Sequence, residues 1–383
     1  MTELKSRRSL FYQPGNPAYW LFLLLLCFGT FIFAGQVSAA TGAYFPVSVF
    51  AVFLWGLYSV PWFLFLLNEE LYDRQPAAVA LLGFLWGGLI ATFAMALEAN
   101  GAIIGILGKT VSPEFARDWG ASISAPFVEE LAKGLGIVTL ILLAKDRFRS
   151  IYDGIIIGAF TGLGFQVFED LIYTFTAANL TAAGAEWQAV LFTFLGRGII
   201  SGLWSHAMYS ALVGAGIASY VLGRNKPFMR RFLRPAIYCF LAWGLHFLWD
   251  SPWVNGIRIT PVSMVIKLVL YPLLFSVGIY FAFRRKRSVL SQVLAGEVSL
   301  GTLSGDDAKT VGESWLFRKK IRSGYRRKYG RRSSREIHNL QKAQRSLAVA
   351  LVRSERFEII EEKRARVGKL NGFEKNRVQS EKE

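Results

Sequence analysis

Apolar residues run along most of this chain in blocks of about 20, the length a helix needs to cross the hydrocarbon of a bilayer. Eight blocks are read: 19–40, 46–67, 77–97, 122–144, 154–177, 198–222, 235–253 and 262–283. The run before the sixth begins near Ala189 and contains Arg197, so it reads as an interfacial piece, 189–196, and then a span. From Arg284 onward the blocks stop and charge takes over. The pattern predicts an all-α polytopic membrane bundle of about eight transmembrane helices, followed by a basic, partly helical cytosolic C-terminal tail.

Composition sharpens that division. Of 383 residues 53% are apolar, and the net charge is +17. Residues 1–283 carry 18 Lys and Arg against 15 Asp and Glu, whereas residues 284–383 carry 26 against 12. Nearly all of the charge therefore lies in the tail, which excludes a single soluble domain. Cys27 and Cys239 stand far apart in apolar runs and offer neither a disulfide framework nor a Cys-based zinc motif.

Short-loop basic residues set orientation. Lys5, Arg7, Arg8, Arg74, Lys145, Arg147, Arg149, Arg224, Lys226, Arg230, Arg231 and Arg234 fall on one side, and Lys109, Arg117 and Arg258 on the other. Both termini are expected in the cytoplasm, with the chain in the plasma membrane.

Ionisable residues inside apolar spans are costly and tend to face a cavity. The fourth span carries Glu129, Glu130 and Lys133, the fifth Glu169 and Asp170, the sixth His206, and the seventh His246 and Asp250. Lys133 stands three and four residues from the two glutamates and can reach either. Phe165 and Glu169 share a face, as do His246 and Asp250, where the aspartate can orient the imidazole. At about 1.5 Å per residue, Glu130, Glu169, His206 and His246 all lie roughly 10–13 Å from the outer edge. Gly154, Gly158 and Gly162 recur every four residues, which lets helices approach closely; Gly134 and Gly136 are candidates to meet them. Asp153 is read as the cap of the fifth span, Asp170 as facing away from Glu169, and Arg197 and Glu186 as lying at the outer surface.

Carboxylates beside imidazoles suit hydrolysis, a carboxylate taking a proton from water and a histidine stabilising the oxyanion. Glu130, Glu169, His206 and His246 are equally a donor set for a divalent metal such as zinc. A secondary transporter using the same residues, or an inactive membrane scaffold, are the readings from other classes. No clear internal repeat relates 19–144 to 154–283, which weighs against a carrier.

Glu129-Glu130-x-x-Lys133, Phe165-x-x-x-Glu169, His206 and His246-x-x-x-Asp250, in this order on successive spans, resemble the four motifs of the PrsW family of intramembrane proteases. That family is similar to the CAAX prenyl endopeptidases of the Abi superfamily. The latter carry Arg four residues after the second Glu and a Phe-x-x-x-His, and this chain departs from both. The resemblance covers roughly residues 120–255 and implies cleavage of a membrane-associated protein. It implies that Glu129 and Glu130 activate water while His206 and His246 assist or ligate a metal, with Lys133, Phe165 and Asp250 in support.

The domain reading is a membrane domain over 1–283, a basic linker over 284–334 and a helical then disordered tail over 335–383. The basic run Arg318–Arg332 is expected to meet anionic lipid of the inner leaflet. It carries no nucleic-acid-binding motif. Ile337, Leu340, Leu347 and Leu351 recur at helical spacing.

Overall fold

A computed structural model describes residues 12–68, 77–144, 148, 150–200, 204–255, 261–313, 315–352 and 355–380, and all regular structure among them is helical. Of the orienting basic residues, Lys5, Arg7, Arg8, Arg74, Lys145, Arg147, Arg149 and Arg258 lie outside the described residues. Two compact units divide at Ser276/Val277, a little before the boundary expected at 283.

In the first unit, α1 (Pro17–Asn68) breaks at Tyr44 (φ −143°, ψ 70°), two residues before Pro46 and between the first two predicted spans. α2 (Ala77–Leu85) runs without a break into wide i→i+5 turns over Trp86–Ala96 and then α3 (Leu97–Thr110). α4 (Pro113–Leu143) starts at a Ser112 cap that accepts the Phe115 N–H at 3.1 Å. α5 (Ile151–Leu180) starts at a capping box of Ser150 and Asp153, as the sequence led us to expect of Asp153. Then follow α6 (Glu186–Thr193), wide turns over Phe194–Ile200, α7 (Ser205–Leu222) and α8 (Phe228–Asp250). The short α9 (Pro252–Asn255) and α10 (Pro261–Val265) precede wide turns over Ile266–Leu270 and the start of α11 (Tyr271–Ser299).

Among the described residues, three helical stretches are long and apolar enough to cross a membrane: Pro17–Leu67, Ala77–Thr110 and Ile151–Leu180. α4 holds Glu129, Glu130 and Lys133 in its middle, which sets it apart from these three. Burial ranks the long helices. The apolar stretch of α5 is 78% buried and that of α1 only 11%, so α5 is the central post and α1 lies outside it. Trp55 of α1 donates to Thr174 Oγ1 of α5 at 2.9 Å, and Phe63 packs on Phe160 with centroids 4.9 Å apart. Close approach to α5 on another side depends on Gly87, where a Cβ would stand 1.8 Å from the Thr161 carbonyl oxygen.

The second unit has its own small core. Leu290 and Leu294 of α11 pack with Leu303, Val311, Leu340, Leu347 and Val367. It contains α12 (Gly305–Val311), α13 (Trp315–Val352) and α14 (Phe357–Ser380). The stretch read as a linker is thus helical over much of its length. α13 breaks at Gly330 (φ +83°), a conformation that favours glycine. The expected apolar stripe is present: Ile337, Leu340 and Leu347 are buried and Leu351 packs on the core. Glu297, 2% exposed, is held by the guanidinium of Arg364, with Nη2 2.5 Å from Oε1.

Candidate active site

Three glycines on α5 set the register of the site. A Cβ at Gly154, Gly158 or Gly162 would stand 2.3, 2.0 or 2.0 Å from the carbonyl oxygens of Gly214, Ser210 and His206 on α7. The two helices therefore touch backbone to backbone in four-residue steps, and the last step ends at His206. Gly134 and Gly136 of α4 do not meet this ladder. Gly134 receives Val213 of α7, and Gly136 receives the ring of Trp86. The reason is rotational: these two glycines face other neighbours than α5.

Pro126 lies inside α4 and deprives it of one backbone hydrogen bond a turn before the acidic pair. Glu129, Glu130 and Lys133 all turn inward and are buried. Lys133 Nζ lies 2.7 Å from Glu130 Oε1 and 3.5 Å from Glu129 Oε2, so the lysine reaches both glutamates. It also lies 2.9 Å from His206 Nδ1 and 4.1 Å from the centre of the Phe165 ring.

The histidines meet edge to face, with centroids 4.9 Å apart. His246 Nδ1 faces Glu130 Oε1 at 3.0 Å, and its Nε2 faces Asp250 Oδ2 at 3.2 Å, the i,i+4 pairing expected on α8. His206 Nε2 faces Glu169 Oε2 at 3.4 Å, and Phe165 packs on the same ring. Glu129, Glu130, Lys133, Phe165, Glu169, His206, His246 and Asp250 therefore enter one cluster contributed by α4, α5, α7 and α8.

Three residues have more partners than the sequence reading gave them. Arg197 is half-buried and tied to the acids. Its Nη2 donates to Glu169 Oε2 at 2.8 Å and its Nε to Asp170 Oδ1 at 2.5 Å, over the face of Tyr173. Its backbone is fixed from α1, because Tyr58 OH donates to the Gly198 carbonyl at 2.7 Å. Asp170 is accordingly bridged to Glu169 through Arg197, and Gln166 donates to both of its oxygens at 3.1 Å. Glu186 is buried, accepting the Gly184 N–H at 3.0 Å.

Other partners escaped the sequence reading. Asn100 of α3 donates to Glu129 Oε1 at 3.0 Å. Tyr209 stacks on His246, centroids 4.8 Å apart and planes 17° apart. Asn100 lay in a stretch read as a loop, although Ile103, Ile104, Ile106 and Leu107 after it carry a helical apolar pattern. Tyr209 stands three residues from His206, the spacing that puts both on one face.

The donor set fits a divalent metal. Ligand atoms of Glu129, His206 and His246 lie within 4.8 Å of one another. Glu129 Oε2 is 3.8 Å from His206 Nδ1 and 3.7 Å from His246 Nε2, close to the ~3.4 Å between ligands of a tetrahedral zinc with bonds near 2.0–2.1 Å. The sequence had put Glu130 and Glu169 in this set. In the structure those two are bound by Lys133 and Arg197 instead.

Residues 75–277, which include the whole cluster, match the PrsW family of intramembrane metalloproteases. The chain is also similar to Protease PrsW of Clostridioides difficile (strain 630), 26% identical over 172 residues. That match covers 44% of this chain, and the chain spans 66% of the relative's length. No solved structure matches the chain.

Proposed function

Because this chain belongs to the PrsW family of intramembrane metalloproteases, we propose that it hydrolyses a peptide bond of a membrane-associated protein at the cluster of Glu129, Glu130, Glu169, His206 and His246. One observation carries the reading: two carboxylates and two imidazoles from three helices converge in a buried centre. Neither a carrier nor an inert scaffold is favoured by membership of this family.

Each residue has a role in the proposal. Glu130 is the proton acceptor. Its Oε1 is engaged by Lys133 and His246, while Oε2 is buried without a protein partner and is free to take a proton from water. Glu130 Oε1 holds His246 at Nδ1, so that Nε2 turns toward Glu129 and Asp250, and Glu169, braced by Arg197, holds His206 at Nε2. Asn100 fixes Glu129 Oε1, so that Oε2 faces the histidines. Glu129, His206 and His246 would hold a divalent metal such as zinc, which when bound supplies Lewis acidity toward water and the scissile carbonyl.

In this proposal the first unit crosses the plasma membrane about eight times with both termini cytoplasmic and the cluster in the outer half of the bilayer. The test is a proteomic comparison of intact cells expressing wild type or Glu129→Ala/Glu130→Ala at equal levels. Truncated membrane proteins should vanish in the variant. Matching proteomes under several stresses would sink the reading.

The tail is proposed to meet anionic lipid. Lys319, Lys320, Arg326 and Arg327 are exposed on α13, and each is worth about 1 kcal/mol beside an anionic leaflet. In nanodiscs, phosphatidylserine should slow hydrogen exchange of α13 relative to phosphatidylcholine alone. Changing these four residues to Gln should erase the difference; equal protection in both lipids would refute the contact.

A further inference from the structure

Lys133 has no exposed surface, and four groups cage it. Two are the glutamates that flank it on α4, one is His206 Nδ1 and one is the face of Phe165. Its ammonium has only N–H groups to offer. The 2.9 Å contact therefore makes Lys133 the donor and His206 Nδ1 the acceptor. A neutral His206 then carries its proton on Nε2, the nitrogen that faces Glu169. Neither ring nitrogen is left with a lone pair to give.

The nitrogen held by Lys133 is the one on the Glu129 side. His206 Nδ1 lies 3.8 Å from Glu129 Oε2, and Lys133 Nζ lies 3.5 Å from that oxygen. Nε2 faces a different carboxylate, already committed to Arg197. A cation joining Glu129 to His206 must therefore take the lone pair that Lys133 holds. Lys133 can give it up and remain seated, because its shortest contact is to Glu130 and the Phe165 face stays beneath it.

On the reading of Glu129, His206 and His246 as metal ligands, we infer that Lys133 is an internal cation that competes with the divalent metal for His206 Nδ1 and Glu129. It holds the donors together before metal enters and lowers the affinity with which metal binds.

The full chain, purified in detergent, is titrated with zinc, cobalt(II) and manganese(II) against a chromophoric chelator. Lys133→Met should bind zinc about tenfold more tightly or better, since a charge-assisted hydrogen bond no longer has to be broken. It should melt lower than wild type in excess EDTA and gain more from zinc. Arg197→Gln removes a cation of the same cluster that touches neither Glu129 nor His206, and it should tighten zinc by less than about threefold. If Lys133→Met does not fold, Phe165→Leu keeps the charge but loosens its seat and should tighten zinc by about two- to fivefold. Unchanged zinc affinity in Lys133→Met (or in Phe165→Leu, where only that variant folds), or equal gains in Lys133→Met and Arg197→Gln, would overturn the competition while leaving the metal site standing. If neither wild type nor any variant binds the three ions, the metal site and the competition fall together.

Discussion

Gly162→Val is expected to unfold the first unit or lower its melting temperature by about 6–12 °C, corresponding to roughly 3 kcal/mol at 2–4 °C per kcal/mol. The first added carbon alone would stand 2.0 Å from the His206 carbonyl oxygen. Backbone cannot turn aside as a side-chain end can, so α5 and α7 must separate. Separation also breaks the contacts at Gly154 and Gly158. Overpacking in a dense core commonly costs about 1–3 kcal/mol, and a clash shared along a whole interface lies at or above the top of that range. Gly244→Ala is the control, because nothing lies within 4 Å of its Cβ position. Thermal melts in detergent decide: if Gly162→Val melts with the control, the backbone ladder does not set the helix register.

Arg197→Leu should destabilise the unit by roughly 3 kcal/mol and abolish cleavage. Removing one partner of a buried ion pair strands the other and costs about 3–5 kcal/mol. The low end applies here. Arg197 is 30% exposed on its side chain, and Gln166 goes on donating to Asp170. Two adjacent carboxylates would nevertheless face each other with no cation between them, and Glu169 would lose its brace against His206. Adding Asp170→Asn removes one of the stranded charges. The double variant should melt higher than Arg197→Leu alone, although cleavage should stay lost because Glu169 remains unbraced. A double variant no more stable than the single one would mean that Arg197 acts by packing rather than charge.

Most of this cluster is legible in the sequence, because its parts are local. Glu129 with Lys133, Phe165 with Glu169, and His246 with Asp250 each sit four residues apart, and a helix turns such pairs to one side whatever surrounds them. Their charge inside apolar runs marks them as inward-facing. What the sequence conceals depends on helix ends and irregular turns. Asn100 looked like the start of a loop, yet its helix continues to Thr110. Arg197 looked like a boundary, because a lone arginine after an apolar run ordinarily marks the membrane edge. The wide turns of Phe194–Ile200 carry it to the acids instead. A clue was present in the adjacent pair Glu169-Asp170, for which Lys133 alone is too little positive charge. The tail misled differently. Its core joins Leu290 to Leu347 and Val367 over long sequence separations, which no short-range periodicity displays.

The placement of Lys133 also bears on how the chain is made. Glu130 meets His246 only after 116 further residues have been synthesised. At roughly 5–20 residues per second, that is an interval of about 6–23 s. A helix emerging with bare carboxylates would spend that time in apolar surroundings with nothing to offset them. Lys133, three residues from Glu130, leaves the ribosome with the acids and neutralises part of their charge at once. α1 faces a similar wait, since Trp55 finds Thr174 only 119 residues later. It has no charge to shelter, carrying no Asp, Glu, Lys or Arg along its whole length. The two helices thus tolerate the same delay during biogenesis by opposite means, one carrying its own counter-ion and the other needing none.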